Sequence, residues 1–334
     1  VLRKRRGKQI NRKIQKWSVL SSKQEEKKTF LLTFLLWHRC NPQQDITGDT
    51  KAKILNQRAW ELIDERCNMV RGKALGGTSV VNFLLHTRGN RLDFDSWANM
   101  GNYGWSYKDV LPLLHKIENC TLCRDIDKEF HGTNGYLNIE HPGYESHMVK
   151  LFLKAGRDLG IGNNDPNGNF GLATVLLRPK SKGRIFIRNS NPFPPPVIKP
   201  NYFENDGDVA TMVEGIKWAI SVATSKHFKK YNSYPKFHTF PRLQQIPFGT
   251  DQYWSCAVRH VSTTLGHHSG TCKMGPKNDP DAVVDPQLSV WNSRSTGVVD
   301  GSIMPNIVAG HTNAVIYMIG EKASDLIKAS WEDT

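Results

Sequence analysis

Arg71-Gly-Lys-Ala-Leu-Gly-Gly-Thr-Ser-Val-Val-Asn82 is where this sequence changes character. Before it, residues 1–64 have no persistent periodicity. They are rich in Lys, Gln and Ser and are broken by Asn41-Pro42-Gln43-Gln44 and Gly48-Asp49. Within it, Gly72, Gly76 and Gly77 punctuate a turn, and the adjacent glycines let another group come close to the backbone. Thr78, Ser79 and Asn82 then surround whatever approaches with hydrogen-bonding groups. A tight structural turn and a ligand-approach loop fit this stretch equally well when it is read by itself. After it, from the apolar run Val80 to Leu85 onward, helical and extended patterns both appear.

Downstream, Ser106-x-x-Asp109 has the form of a capping box, and Val110, Leu113, Leu114 and Ile117 continue it as one helical face. Pro112 falls in the first turns, where proline is best tolerated. Further helices are expected over Glu145 to Leu159, stopped by Gly160, over Asp208 to His227, and over Thr312 to Ser330. Gly183 to Arg188 reads as a strand with Ile185 and Ile187 on one side, and Asn191-Pro-Phe-Pro-Pro-Pro196 as a stiff extended connector. The body is therefore a mixed α and β chain without internal repeats.

Composition narrows the class. The chain's 334 residues carry a formal charge of +14, but Lys and Arg crowd the first 28 positions, leaving the rest only mildly basic. The high isoelectric point thus describes a leader more than a binding face. Arg3-Lys4-Arg5-Arg6 lacks the aromatic interleaving and motifs of a nucleic-acid arm, so no nucleic-acid partner is expected. The longest apolar run, Phe30 to Trp37, falls far short of the roughly 20 residues of a membrane span. Six cysteines are too few for a disulfide-built scaffold. Cys120-Thr-Leu-Cys123 has no second pair to complete a zinc ribbon, and reads as two incidental cysteines. Asn119-Cys120-Thr121 is a glycosylation acceptor if the chain is secreted. No signal peptide is visible, and the compartment stays open.

The second chemically loaded segment runs from His260 to Asn313. It contains His267-His268-Ser-Gly-Thr-Cys272, then Val299-Asp300-Gly301-Ser302, then Gly310-His311-Thr312-Asn313 opening the last helix. A helix start offers free N–H groups to an electron-rich ligand. Clustered histidines suit acid–base work or metal binding. A zinc site through His260, His267, His268 and Cys272 matches no structural-site spacing, so no metal is expected. Gly266-His-His-Ser269-Gly270 lacks the spacing of a serine nucleophile elbow.

At these two segments the chain resembles the glucose–methanol–choline oxidoreductase family, in particular its FAD, quinone-linked glucose dehydrogenase-like members. The resemblance rests on Arg71-Gly-Lys-x-Leu-Gly-Gly-Thr-Ser-x-x-Asn82, Thr87-Arg-Gly89, Asp95-x-Trp97, Gly104-Trp-Ser-Tyr107 and Phe130-His-Gly-Thr133. It continues through His267-x-x-Gly-Thr-Cys-Lys-Met-Gly275, Val284-Asp-Pro286, Ser302-Ile-Met-Pro305, Gly310-His-Thr-Asn313 and Ile319-Gly-Glu-Lys-Ala323, and spans about residues 66–331.

The resemblance implies a mixed α/β fold: a partial FAD/NAD(P)-binding-type domain joined to a substrate domain with an antiparallel sheet. Residues 1–64 would be an unassigned leader, 65–175 the amino-terminal family part, 176–255 substrate-domain sequence, and 256–331 the return to the FAD domain. It also implies FAD as cofactor, an alcohol or sugar as substrate, a quinone-type electron acceptor, and secretion. His267 is then the base that takes the hydroxyl proton. His268 is its local rival, since neighbours in an extended chain point to opposite faces. His311 would hydrogen-bond the substrate oxygen. Gly76, Gly77, Thr78, Asn82, Asp300, Gly301, Thr312 and Asn313 would contact the flavin.

Two family pieces are missing. No Gly-x-Gly-x-x-Gly occurs anywhere in the sequence, so the dinucleotide end of FAD has no evident site. A long stretch also fails to appear at a join near Thr174 to Leu176, and with it goes a second family signature. Two expectations compete: an FAD-dependent dehydrogenase of CH–OH groups, or an incomplete, non-catalytic remnant that binds FAD weakly or not at all.

Overall fold

The computed structural model describes residues 47–53, 66–72, 74–123, 129–140, 173–191, 194–224, 243–293 and 296–332. The expected helix at Glu145 to Leu159 lies outside the described residues. The chain forms two units, the first containing residues 67–85 and 264–266, the second 86–263 and 267–334.

In the first unit β1 (Thr47–Lys53) and β2 (Arg66–Gly72) pair in a two-stranded sheet. A 3-10 turn at Gly77–Val80 follows. It folds back on β2: a Cβ on Gly72 would lie 2.0 Å from the Gly77 carbonyl oxygen, so only glycine fits there. Arg71 donates to the Gly266 carbonyl at 3.1 Å. Leu75, Phe83, Leu84 and Leu85 are exposed, so the apolar run after the glycine turn does not form a core strand.

The described residues of the second unit hold five α-helices. Helix α1 (Arg91–Asn99) starts at Asn90, whose side chain accepts from the Leu92 amide while Asp93 accepts from the Asn90 amide. This is the reciprocal capping that relieves the unpaired N–H groups of a helix start. Helix α2 (Tyr107–Ile117) starts at Ser106, whose amide and hydroxyl both donate to Asp109. Its apolar face, Val110, Leu114 and Ile117, is fully buried. Strand β3 (Glu118–Cys120) follows with no intervening residue and pairs in parallel with β4 (Leu137–Ile139). Gly132 and Gly135 bring the connecting loop against the end of α2; a Cβ on Gly132 would sit 2.0 Å from the His115 carbonyl oxygen.

Cys120 and Cys123 are joined in a disulfide, which corrects the reading of two incidental cysteines. Spacing in sequence could not show that the chain turns back sharply enough after β3 to bring the sulfurs together.

The expected antiparallel pairing is present as β5 (Arg184–Phe186) with β6 (Val197–Lys199). The strand is shorter than the sequence pattern, and Ile185 and Ile187 are both exposed. Helix α3 (Asp206–Ala223) and helix α4 (Asp251–Val261) make a separate core of Val209, Val213, Leu243, Tyr253, Trp254 and Ala257. Helix α5 (Asn313–Glu332) lies against α2, joined at the rim by Lys116 to Glu321 at 2.8 Å. Between them the main core gathers Phe94, Trp97, Trp105, Met304, Val315 and Met318. The two buried indoles of this core each find a carbonyl, Trp97 on Asn306 at 3.0 Å and Trp105 on Pro286 at 2.9 Å, as burial of a polar N–H requires.

Candidate active site

His267 and His311 meet in the second unit. His311 Nδ1 lies 3.2 Å from His267 Nε2, with the rings edge-on at 88°. One of the two nitrogens carries the hydrogen and the other accepts it. Burial, and secondarily the charge His311 would carry, hold the His267 pKa below its ordinary value of 6.5. The ring is therefore unprotonated at neutral pH and able to take a proton. His268, its neighbour, turns away and meets the Tyr202 hydroxyl at 3.0 Å.

Each histidine is placed by backbone. The run after His267 lies along the 3-10 turn Gly301–Ile303: the amides of Gly270, Cys272 and Met274 donate to the carbonyls of Gly301, Ser302 and Ile303. Gly270, at φ +80°, is part of this close approach, since a Cβ there would stand 3.0 Å from the Met304 carbonyl oxygen. His311 is held by Thr87, whose hydroxyl accepts from the His311 amide at 2.7 Å and donates to the His311 carbonyl at 3.3 Å. Ala309, just upstream, donates its amide to the buried Asp93 at 2.7 Å. Arg178 adds an ion pair to that same carboxylate at 3.0 Å.

The other expected contacts divide between the units. Asp300 caps the Gly301–Ile303 turn by accepting from the Ser302 amide at 2.7 Å, while its side chain remains exposed. Thr312 is buried at the start of α5, and its carbonyl accepts from the Ile316 amide. Among the described residues, the amides of Asn313, Ala314 and Val315 meet no acceptor, which leaves the positive end of a long helix open. Gly76, Gly77, Thr78 and Asn82 belong to the first unit. Gly76 and Gly77 are left-handed at φ +91° and +58°. The Thr78 hydroxyl accepts from the Gly72 amide, and Asn82 Oδ1 accepts from the Leu84 amide.

Three residues of this neighbourhood carry no role in the sequence reading: Thr87, Asp93 and Glu118. Thr87 and Asp93 reach His311 and Ala309 across 224 and 216 positions, and Glu118 reaches His86 across 32. Glu118, fully buried at the head of β3, accepts from His86 at 2.8 Å and from His131 at 3.0 Å, with Arg88 beside it at 3.4 Å. Burial by itself would raise its pKa. The hydrogen bonds from the two histidines and the Arg88 charge outweigh that and hold it below the ordinary 4.5. A cavity of about 290 Å³ between residues 174–178 and α3 holds neither histidine, and its one charged liner, Arg178, is committed to Asp93. His260, His267 and His268 are drawn to different partners, His260 to the Cys256 carbonyl.

Residues 29–190 match the amino-terminal model of the GMC oxidoreductase family, and residues 179–320 the carboxy-terminal one. The chain is 24% identical to a protein of Drosophila pseudoobscura pseudoobscura named glucose dehydrogenase (FAD, quinone), with 80% of this chain and 76% of that protein covered. That alignment runs over 474 positions, more than this chain's 334 residues, so the relative carries long stretches with no counterpart here. A second relative, named alcohol dehydrogenase (acceptor), from Pseudomonas putida, is 37% identical over 56% of this chain and 32% of its own length. In fold, the chain is similar to the formate oxidase of Aspergillus oryzae, at TM-score 0.68 and 16% identity, covering 87% of this chain and 89% of the other. The two family models together run through both histidines, the glycine turn and the α2–β3 junction, and the chain belongs to the GMC oxidoreductase family.

Proposed function

We propose that this chain carries the chemistry of an FAD-dependent oxidoreductase acting on the CH–OH group of an alcohol or sugar. The observation that carries the reading is the His267–His311 pair: two imidazoles in ring-to-ring hydrogen bonding, one with its pKa lowered. Oxidising a carbinol requires the hydroxyl to lose a proton as the carbon loses a hydride. His267 takes that proton. His311 holds the substrate oxygen and supports the His267 ring. FAD would supply the hydride acceptor beside this pair, with a quinone-type compound as the final electron sink. The names of the relatives, one an FAD, quinone glucose dehydrogenase and the other an alcohol dehydrogenase, support substrate class and acceptor alike.

The residues fit the flavin end of the cofactor. An uncapped helix start with open amides at Asn313, Ala314 and Val315 suits an electron-rich ring edge. Asp300, Gly301, Thr312 and Asn313 would line that end. The positions that the Drosophila relative has within the aligned span and this chain lacks favour a second reading: a non-catalytic member of the family. The Cys120–Cys123 disulfide supports an oxidising compartment for either. No helix among the described residues is long and apolar enough to cross a membrane.

Titration of the purified chain with FAD, followed by dye reduction with primary alcohols and glucose, decides between the two. The dehydrogenase reading expects saturable, stoichiometric flavin binding and alcohol-dependent dye reduction that collapses in His267→Gln. A folded chain that stays colourless in excess FAD overturns it and leaves the non-catalytic reading.

A further inference from the structure

We propose that Thr87 and Glu118 are positioning residues for His311, and through it for the His267–His311 pair. The inference rests on the reading of that pair as the proton-handling centre, but its geometry is wholly this chain's own.

Three consecutive residues carry the argument. His86 and Arg88 both reach the Glu118 carboxylate, while Thr87 between them reaches His311. Side chains that alternate in this way belong to an extended stretch, where neighbours point to opposite sides. Thr87 is thus held from both flanks by a single carboxylate on the far side of its own backbone. Glu118 is a firm anchor: its side chain is fully buried, and His131 and the Gly132 amide occupy its remaining acceptor directions.

The Thr87 hydroxyl then acts on both peptide planes of His311. It accepts from the amide on one side of the His311 Cα and donates to the carbonyl on the other. Fixing both planes fixes the direction in which the imidazole leaves the backbone. Gly310 makes room for this contact, being left-handed at φ +110°, where a Cβ would come within 2.8 Å of Thr87 Oγ1. A valine at 87 keeps the shape and removes both bonds. A serine keeps both bonds.

The test is nitrogen NMR of the imidazoles in the full-length, isotopically labelled chain, which needs neither flavin nor substrate. The wild-type rings should show one protonated and one bare nitrogen facing each other, at His311 Nδ1 and His267 Nε2. Thr87→Val should shift both toward tautomer-averaged values, and Thr87→Ser should restore them. Glu118→Gln should shift them the same way, with folding checked by circular dichroism and the urea midpoint. If that variant does not fold, Arg88→Met and His86→Asn release the two anchors singly and carry the same expectation. Ring signals unchanged in Thr87→Val, or not restored by serine, overturn the role of Thr87. Signals unchanged in the folded Glu118 variant, or in both single-anchor variants, overturn that of Glu118. Failure to bind FAD would sink the dehydrogenase reading and leave these signals as they are.

Discussion

Replacing Glu118 by alanine strands a whole set of donors at once. The wild-type carboxylate accepts from His86 at 2.8 Å and His131 at 3.0 Å, and pairs with Arg88 at 3.4 Å, with its own side chain fully out of water. Arg88 is only 12% exposed, so it cannot recover its solvation by swinging outward. Breaking a buried ion pair from one side typically costs about 3–5 kcal/mol, because the remaining charge is left uncompensated. Glu118→Gln keeps one carbonyl oxygen as acceptor, and should cost less, about 1–3 kcal/mol. The pH dependence follows from the carboxyl's depressed pKa. A carboxylate more acidic in the folded than in the unfolded chain stabilises the fold fully above its unfolded value, and this is lost as pH falls toward the folded one. The gap in urea stability between wild type and Glu118→Gln should therefore narrow as pH falls below the ordinary carboxyl value of 4.5. A gap that stays flat to pH 3.5, or an alanine variant losing less than about 1 kcal/mol at neutral pH, would refute the buried anchor.

In flavin-loaded protein, His267→Gln should lower alcohol-dependent dye reduction by on the order of 10²–10⁴-fold. The wild-type rate should rise with pH through an inflection below 6.5, since the base must be unprotonated and burial lowers its pKa. Reducing Cys120–Cys123, or replacing both cysteines by alanine, should cost about 2 kcal/mol in the urea midpoint through the freed unfolded chain, read with and without a dithiol. Gly310→Ala should cost about 1–3 kcal/mol, because φ +110° and the 2.8 Å approach to Thr87 Oγ1 both exclude a methyl group. The same variant should disturb the His311 ring signals, while Gly249→Ala, left-handed but with open space around it, should leave them alone.

How much of this was legible in sequence depends on how local the signal is. The helices α2 and α5 show in the spacing of Val110, Leu114 and Ile117, and of Val315, Met318 and Ile319, because burial acts on one face of a 3.6-residue period. The divergence of His267 and His268 follows from alternation alone. The sequence reading places no helix at Asp251–Val261, although Thr250 caps it and Tyr253, Trp254, Ala257 and Val258 mark its buried face. Interspersed Arg259 and His260 hid a pattern shared with a small, separate core. Thr87 and Glu118 were out of reach for another reason. Thr87 and His311 stand 224 residues apart, and one threonine among many carries no mark of which backbone it will touch. The disulfide needed the turn after β3, which two cysteines at short spacing do not predict.

The absence of any linker between α2 and β3 has a consequence for how this chain can vary. Ile117 closes a helix and Glu118 opens a strand, so two periodicities meet at one peptide bond. One residue inserted there would leave no slack to absorb it. Upstream it would turn the Val110–Leu114–Ile117 stripe by about 100° relative to the strand. Downstream it would exchange the strand's two faces, sending Glu118 and Cys120 outward and Asn119 inward. Length changes are tolerated where a loop can bulge. Here every amino acid is counted, and the joint behaves like a keyed shaft, rejecting an added residue even where it accepts a substituted one.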